Sequence, residues 1–282
     1  SYASISKNHL SFNKNEDISY AYETLEESDY IELTGQQDYP LNSTWIKQAG
    51  KRLNMAEKAF NYGQLTHALL YYHEALEIYP EMHDVQRYIG LIHLQKKEFN
   101  LAVNAFKKAI AQEPNNPRLL NNLGICLLGL NEYEKALVAL NAAILIDPSY
   151  PMAHYNLATL HYRQHEYEKS LLYFEYYLST ETENLEAYQL YANSLIQLEE
   201  WSVASEVLAE LSRKMPESAP VYFRLAQALS EQERSLEAMN ALKQGIALMD
   251  TRRALSWLNK TEFDRLRSLL EFQHLAETLS KN

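Results

Sequence analysis

Residues Asn121 to Pro148 read NNLGICLLGLNEYEKALVALNAAILIDP, and the fold is decided by how often this pattern returns. Within it, small residues stand at Gly124 and Ala136, larger apolar ones at Leu123 and Leu140, and Pro148 closes the run. In steps of 34 residues the closing proline falls at Pro80, Pro114, Pro148 and Pro216, while Thr182 and Asp250 hold the two lattice points without one. No residue is inserted or deleted between Ala49 and Arg252, so six units begin at Ala49, His83, Pro117, Pro151, Leu185 and Ala219. Their eighth position reads Ala56, Gly90, Gly124, Ala158, Ala192 and Ala226, and their twentieth Ala68, Ala102, Ala136, Ser170, Ala204 and Ala238. Small residues at both places let two antiparallel helices approach closely, since no side chain props the backbones apart. Apolar groups at position seven (Met55, Ile89, Leu123, Leu157, Tyr191, Leu225) and position twenty-four (Tyr72, Phe106, Leu140, Phe174, Leu208, Leu242) fill the space that remains.

This period and these positions resemble the tetratricopeptide repeat family over residues 49–252. The resemblance implies an all-α fold: a right-handed superhelix, or α-solenoid, of antiparallel helix pairs closed by a C-terminal capping helix. Each pair has apolar surface that it cannot bury alone, so stability is expected from neighbours and terminal caps. Ser170, Tyr177, Thr182 and Leu211 depart from the pattern, which predicts looser or re-angled packing around the fourth and fifth units.

Seven glycines in 282 residues, and no alternating strand pattern, agree with an all-helical chain. Cys126 is the only cysteine, so it has no partner for an internal disulfide or a CxxC site, and it reads as a structural thiol. No apolar run approaches the roughly 18 residues of a membrane span. The formal charge is −11, and residues 1 to 44 hold −6 of it, from eight acids against Lys7 and Lys14. A chain without a basic stripe is not expected to bind nucleic acid.

Three regions follow. Residues 1–43 are rich in acids, Tyr, Ser and Asn, have too few aliphatic residues for a core, and read as an acidic tail, disordered or ordered by a partner. Within it, Ile18, Ala21, Tyr22 and Leu25 would line one side of a short helix, and Tyr30, Ile31 and Leu33 add a second apolar cluster. Residues 44–252 carry the repeats. Residues 253–282 read as the cap: Thr261 with Asp264 looks like an N-terminal helix cap, Phe263, Leu266, Leu269, Leu270, Phe272 and Leu275 supply its apolar face, and Trp257 packs at the junction. Were a lipid-carrying cysteine to precede Ser1, the chain would be an anchored envelope lipoprotein.

Signatures of catalysis are missing: no glycine-rich phosphate loop, no GxSxG, no HExxH and no zinc spacing of Cys and His. His161 and His165 stand four apart, as on one helical face, with His154 seven before, but no third ligand is evident. Neither a catalytic site, a metal nor any other cofactor is expected.

In the repeat family the first helix of each unit lines a concave groove. Carried over to this chain, that lining comprises Arg87, Leu91, Leu94, Arg118, Asn121, Asn122, Ile125, Tyr155, Asn156, Thr159, Tyr162, Gln189 and Asn193, with Tyr155, Tyr162 and Phe223 as aromatic anchors. Asn122 and Asn156 are adjacent rungs of an asparagine ladder whose amides would bind the backbone of an extended peptide. A carboxylate clamp is incomplete, because Leu91, Met152 and Asn156 stand where asparagine and two basic residues are required. The expectation is therefore a non-enzymatic scaffold or adaptor holding a peptide or partner protein. The alternative is an assembly factor or lipoprotein of a bacterial envelope machine, such as a pilus or secretion system, tethered through its tail, which would favour the cell envelope over the cytoplasm.

Overall fold

In a computed structural model, residues 44–82 and 84–281 are described, and every regular element among them is helical. The tail assigned to residues 1–43 lies outside the described residues. Six helix pairs follow one another: α1 (Thr44–Asn61) with α2 (Leu65–Ile78), α3 (Val85–Gln95) with α4 (Phe99–Gln112), and α5 (Pro117–Gly129) with α6 (Tyr133–Ile146). Then come α7 (Pro151–Arg163) with α8 (Tyr167–Thr180), α9 (Leu185–Gln197) with α10 (Trp201–Lys214), and α11 (Ala219–Glu231) with α12 (Ser235–Ala247).

The reversal inside each pair is made by backbone chemistry that repeats at the same period. Gly63, Lys97, Asn131, His165, Glu199 and Glu233 all have φ between 58° and 70°, the left-handed region. At each, two amides return to the helix just ended: Lys97 N donates to Leu94 O and Glu98 N to His93 O, both at 2.8 Å. The same pair of bonds recurs after α1, α5, α7, α9 and α11. It satisfies carbonyls that a helix end leaves open, and it turns the chain into the second helix within three residues. Only Gly63 adopts this conformation without crowding from a Cβ. The prolines of the lattice act at the other turn, where Pro80, Pro114, Pro148 and Pro216 follow the second helix and cannot continue it.

Between paired helices the small positions work as the sequence predicts. Ala56, Ala68, Ala102, Ala136, Ala158 and Ala204 are fully buried, as are Tyr72, Phe106, Leu140, Phe174 and Leu242. A Cβ built on Gly90 would lie 2.8 Å from the Phe106 ring, and one on Gly124 would lie 2.6 Å from Cγ and Cδ2 of Leu140. Burying a Phe or Leu contributes about 1.5–3 kcal/mol each. Neighbouring pairs share these residues, so the apolar interior runs along the array rather than forming one compact centre.

The irregular fourth and fifth units are resolved individually. Ser170 donates to Ala158 O at 2.9 Å, so its hydroxyl is satisfied inside the core. Tyr177 is buried against Tyr155, ring centroids 5.0 Å apart, and its phenol accepts from Asn184 Nδ2 at 2.8 Å. Leu211 is buried as well, and α9 packs less extensively on α10 than the partners of other pairs pack on each other. The expected looser packing is therefore confined to the fifth pair, since α7 and α8, with the bulkier Tyr177, pack as extensively as α5 and α6.

The C-terminal end differs from the single helix expected to start at Thr261. A helix α13 (Thr251–Leu258) continues the array after the last repeat, capped by Asp250, whose carboxylate accepts from Arg253 N at 3.0 Å. Thr261–Leu266 is a 3-10 turn, and α14 (Leu270–Lys281) follows. Asp264 accepts from Arg267 Nε at 2.6 Å instead of closing a helix start. Phe263, Leu266 and Phe272 are buried, and Trp257 stacks on Phe223 with centroids 4.4 Å apart. Leu270, counted with that apolar face, is instead 83% exposed, and the covering residues are divided between a short helix, a turn and a second helix.

Two glycines separate packing from propensity. Gly50 lies inside α1 with nothing within 4 Å of an added Cβ, so Gly50→Ala is expected to stabilise the chain by about 0.5–1 kcal/mol. Gly124→Ala must push Leu140 aside and is expected to destabilise by about 1–3 kcal/mol. Thermal melts followed by circular dichroism should move in opposite directions; shifts of the same sign would contradict the close approach of α5 and α6.

Candidate functional site

First helices of successive pairs adjoin one another, α3 with α5, α5 with α7 and α7 with α9, whereas second helices stand further apart. The first helices therefore line the inner side of the array. Along them the residues carried over from the family divide into two groups that the sequence did not distinguish.

One group is inside the protein. Leu94, Asn122, Ile125, Tyr155, Asn156, Thr159 and Phe223 are each at most 3% exposed. Tyr155 packs edge-on to Phe174 and tilted on Tyr177, and burial drives its phenol well above the usual range. Phe223 is held between Trp257 and Phe263 beneath the C-terminal cap. These two rings therefore do not stand free as anchors. Tyr155 is covered from α8, the second helix of its own pair, and Phe223 from α13 and the 3-10 turn that follows it.

The asparagine ladder is altered in the same way. Asn156 Nδ2 donates to Asn121 Oδ1 at 2.8 Å, and both residues are fully buried. This bond joins α5 to α7 across a repeat boundary. Asn121 Nδ2, Asn122 Oδ1 and Asn156 Oδ1 have no protein partner. An unsatisfied buried polar atom costs about 1–3 kcal/mol, and three of them gather where α5 meets α7. Asn121 and Asn156, both carried over as groove lining, thus form a clasp between repeats.

The second group is accessible. Arg118 is exposed, and Arg87, Leu91, Tyr162, Gln189 and Asn193 are half-buried. Arg87 Nε lies 3.7 Å from Asp84, and its guanidinium sits 4.9 Å from the Tyr88 ring centre. Tyr162 meets Tyr167 edge-on at 5.8 Å. Arg163 Nη1 donates to Leu128 O at 3.3 Å, a second link from α7 to α5. Lys214 Nζ is 5.8 Å from the ring of Tyr188, beside Gln189. Cationic groups, amides and an aromatic edge thus recur along α3, α5, α7 and α9.

The histidines have separate duties. His165 is not on the face of α7, which ends at Arg163; it is the left-handed residue of the following turn, and its Nδ1 is 2.7 Å from Tyr167 Oη. The four-residue spacing to His161 is therefore not a helical spacing. His154 Nε2 is 2.9 Å from Pro148 O, and its ring stacks on Tyr176. His161 Nδ1 is 2.6 Å from Glu166 Oε2, as His93 Nδ1 is from Glu98 Oε2 two repeats earlier. Among the described residues no group of three His, Cys, Asp or Glu side chains is placed to hold a metal. Cys126 is fully buried, and burial pushes its thiol up to about 12, which makes it inert at neutral pH.

Glu98 and Glu166 open the second helices of their pairs. Glu166 is held below its ordinary carboxylate value by hydrogen bonds from Lys169 and His161, and Glu98 by hydrogen bonds from Lys96 and His93. For a depressed carboxylate, the stabilising contribution is present above the unfolded value and is lost as the pH falls through the folded one. Melting measured from pH 6 down to pH 3 should therefore fall less steeply in Glu98→Gln/Glu166→Gln than in wild type. The clasp is tested by a double-mutant cycle. Asn121→Ala and Asn156→Ala each leave one buried amide without its partner, so each is expected to cost about 1–3 kcal/mol, with the double variant losing less than the sum. Additive losses would show that the two amides do not act together.

Solved structures with the same solenoid include pilF of Pseudomonas aeruginosa, at TM-score 0.60 and 20% identity, covering 84% of this chain and 100% of that one. A tetratricopeptide repeat protein of Parabacteroides merdae aligns at TM-score 0.59 and 16% identity, over 84% of this chain and 100% of that one. YrrB, described as a TPR protein with an unusual peptide-binding site, aligns at TM-score 0.51 and 20% identity, over 62% of this chain and 100% of its own. At such identities the likeness shows the fold. No curated protein matches the sequence. Residues 24–255 match the family described as the cilia and flagella-associated protein 70 C-terminal domain, a TPR domain. With the repeat lattice, the helix pairs and this match in agreement, the chain belongs to that tetratricopeptide repeat family.

Proposed function

We propose that the protein is a non-catalytic interaction module that holds an extended segment of a partner protein along the inner side of its first helices. The observation that carries this reading is the accessible row on α5, α7 and α9, from Arg118 through Tyr162 to Gln189 and Asn193. Its chemistry is that of a peptide surface. Amides and guanidinium groups donate to backbone carbonyls, and a half-buried tyrosine offers a flat apolar edge with a polar tip. The buried clasp beneath supports the row, because Asn121 with Asn156 and Arg163 with Leu128 fix α7 against α5. A surface held in one geometry loses less conformational entropy when it binds.

The contacts belong to accessible side chains, so they separate from stability. The combined variant Arg118→Ala/Tyr162→Ala/Gln189→Ala/Asn193→Ala is expected to keep its helicity and to melt within a few degrees of wild type. A peptide selected on the wild-type protein from a displayed library should bind this variant at least tenfold more weakly. Tyr155→Ala, by contrast, empties a core site and is expected to cost about 3–5 kcal/mol of stability. Undiminished peptide binding by the four-residue variant would place the working surface elsewhere.

A further inference from the structure

On the outer side, second helices stand far enough apart in two places to leave a groove over the first helix between them. Between α2 and α4 it encloses about 490 Å³. Its floor is apolar, with Leu76, Pro80, Ile89 and Leu101 among its lining residues, and its ionisable lining residues are His73, His93 and Lys108. Leu101 is 51% exposed there. The equivalent groove four repeats later, between α10 and α12, is lined by Glu206, Glu237 and Arg234 instead. The second repeat, residues 83–116, carries five basic and three acidic residues, a formal charge of +2 in a chain of −11. Among the lining residues, the first groove therefore has Lys108 and two histidines with no carboxylate, while its counterpart has two carboxylates against one arginine.

The chain itself supplies a segment with the complementary pattern. Residues 14–33 hold seven acids against Lys14, and Ile18, Ala21, Tyr22 and Leu25 follow the i, i+3, i+4, i+7 spacing by which an amphipathic helix enters a groove. The described chain begins beside this groove, since Trp45 packs against Tyr79 with centroids 5.5 Å apart and Tyr79 precedes the lining residue Pro80. From Leu25 to Thr44 the chain can span up to about 60 Å. The family match begins at residue 24, so it takes in Leu25 and the connection to the repeats but not Ile18, Ala21 or Tyr22.

We propose that residues Ile18–Leu25 dock as an acidic amphipathic helix in the groove between α2 and α4, with Tyr22 and Leu25 entering the apolar floor and the flanking acids facing Lys107 and Lys108. Binding of a segment already attached is intramolecular, so its effective concentration is high and modest contacts suffice. Docking there leaves the inner side open and masks an apolar outer surface from other chains.

The experiment uses the full chain with a photo-crosslinking phenylalanine analogue in place of Tyr22. Irradiation at low protein concentration is followed by mass spectrometric mapping. Crosslinks within one chain to α2 and to α4 around Leu101–Lys108 are expected. They should fall at least fivefold in Lys107→Glu/Lys108→Glu and return when Glu23, Glu26 and Glu27 are changed to lysine in the same chain. Crosslinks to the inner side of α5 or α7, crosslinks between chains, a yield unaffected by either charge reversal, or no crosslink at all would each overturn the proposal. These readouts do not depend on peptide binding by the inner row, so the two readings stand or fall separately.

Discussion

Everything in this molecule depends on how closely two helices can lie when glycine, alanine or serine stands at both facing positions. At Gly90 and Gly124 the neighbouring ring or isobutyl group occupies the space a Cβ would need, so the distance between paired helices is set by an absent side chain. With the pair fixed, the left-handed turn reverses the chain in the same way six times, and each pair presents the same unburied face to the next. A one-dimensional array follows, with its stability spread over neighbour interfaces and its last face covered by α13, the 3-10 turn and α14.

That regularity explains what the sequence made legible. Helix pairs and the small and twenty-fourth core positions follow from a lattice without insertions, because packing constrains residue size at fixed steps; position seven is less uniform, with Leu157 buried and Met55 39% exposed. The cap was less legible. Asp250 and Thr261 both resemble helix caps, and only the fit of Trp257 and Phe263 onto Phe223 decides that the first of them opens a helix.

The inner side was legible in outline and not in depth. Position along a repeat says which direction a side chain leaves the helix, but not whether the next repeat has closed over it. Tyr155 and Phe223 leave in the groove direction and are buried all the same, while Tyr162, one turn or two further along α7, remains accessible. Asn156 was read as a rung for a ligand, yet it already donates to Asn121. His165 was read as helical, yet it is the turn residue. Each difference arises from a contact between residues on separate helices or from a helix end, and neither is visible in a local pattern.

In the proposed readings the two sides of the array take different tasks. Amides, arginines and a tyrosine edge on the inner side suit an extended chain, and the outer grooves, apolar and of varying charge, suit an amphipathic helix. The most direct test is hydrogen exchange on the full chain with and without a library-selected peptide. Slowed exchange confined to α5, α7 and α9, with the second helices unchanged, is the expected result. Protection centred on α2, α4 or other second helices would contradict the inner side as the binding surface.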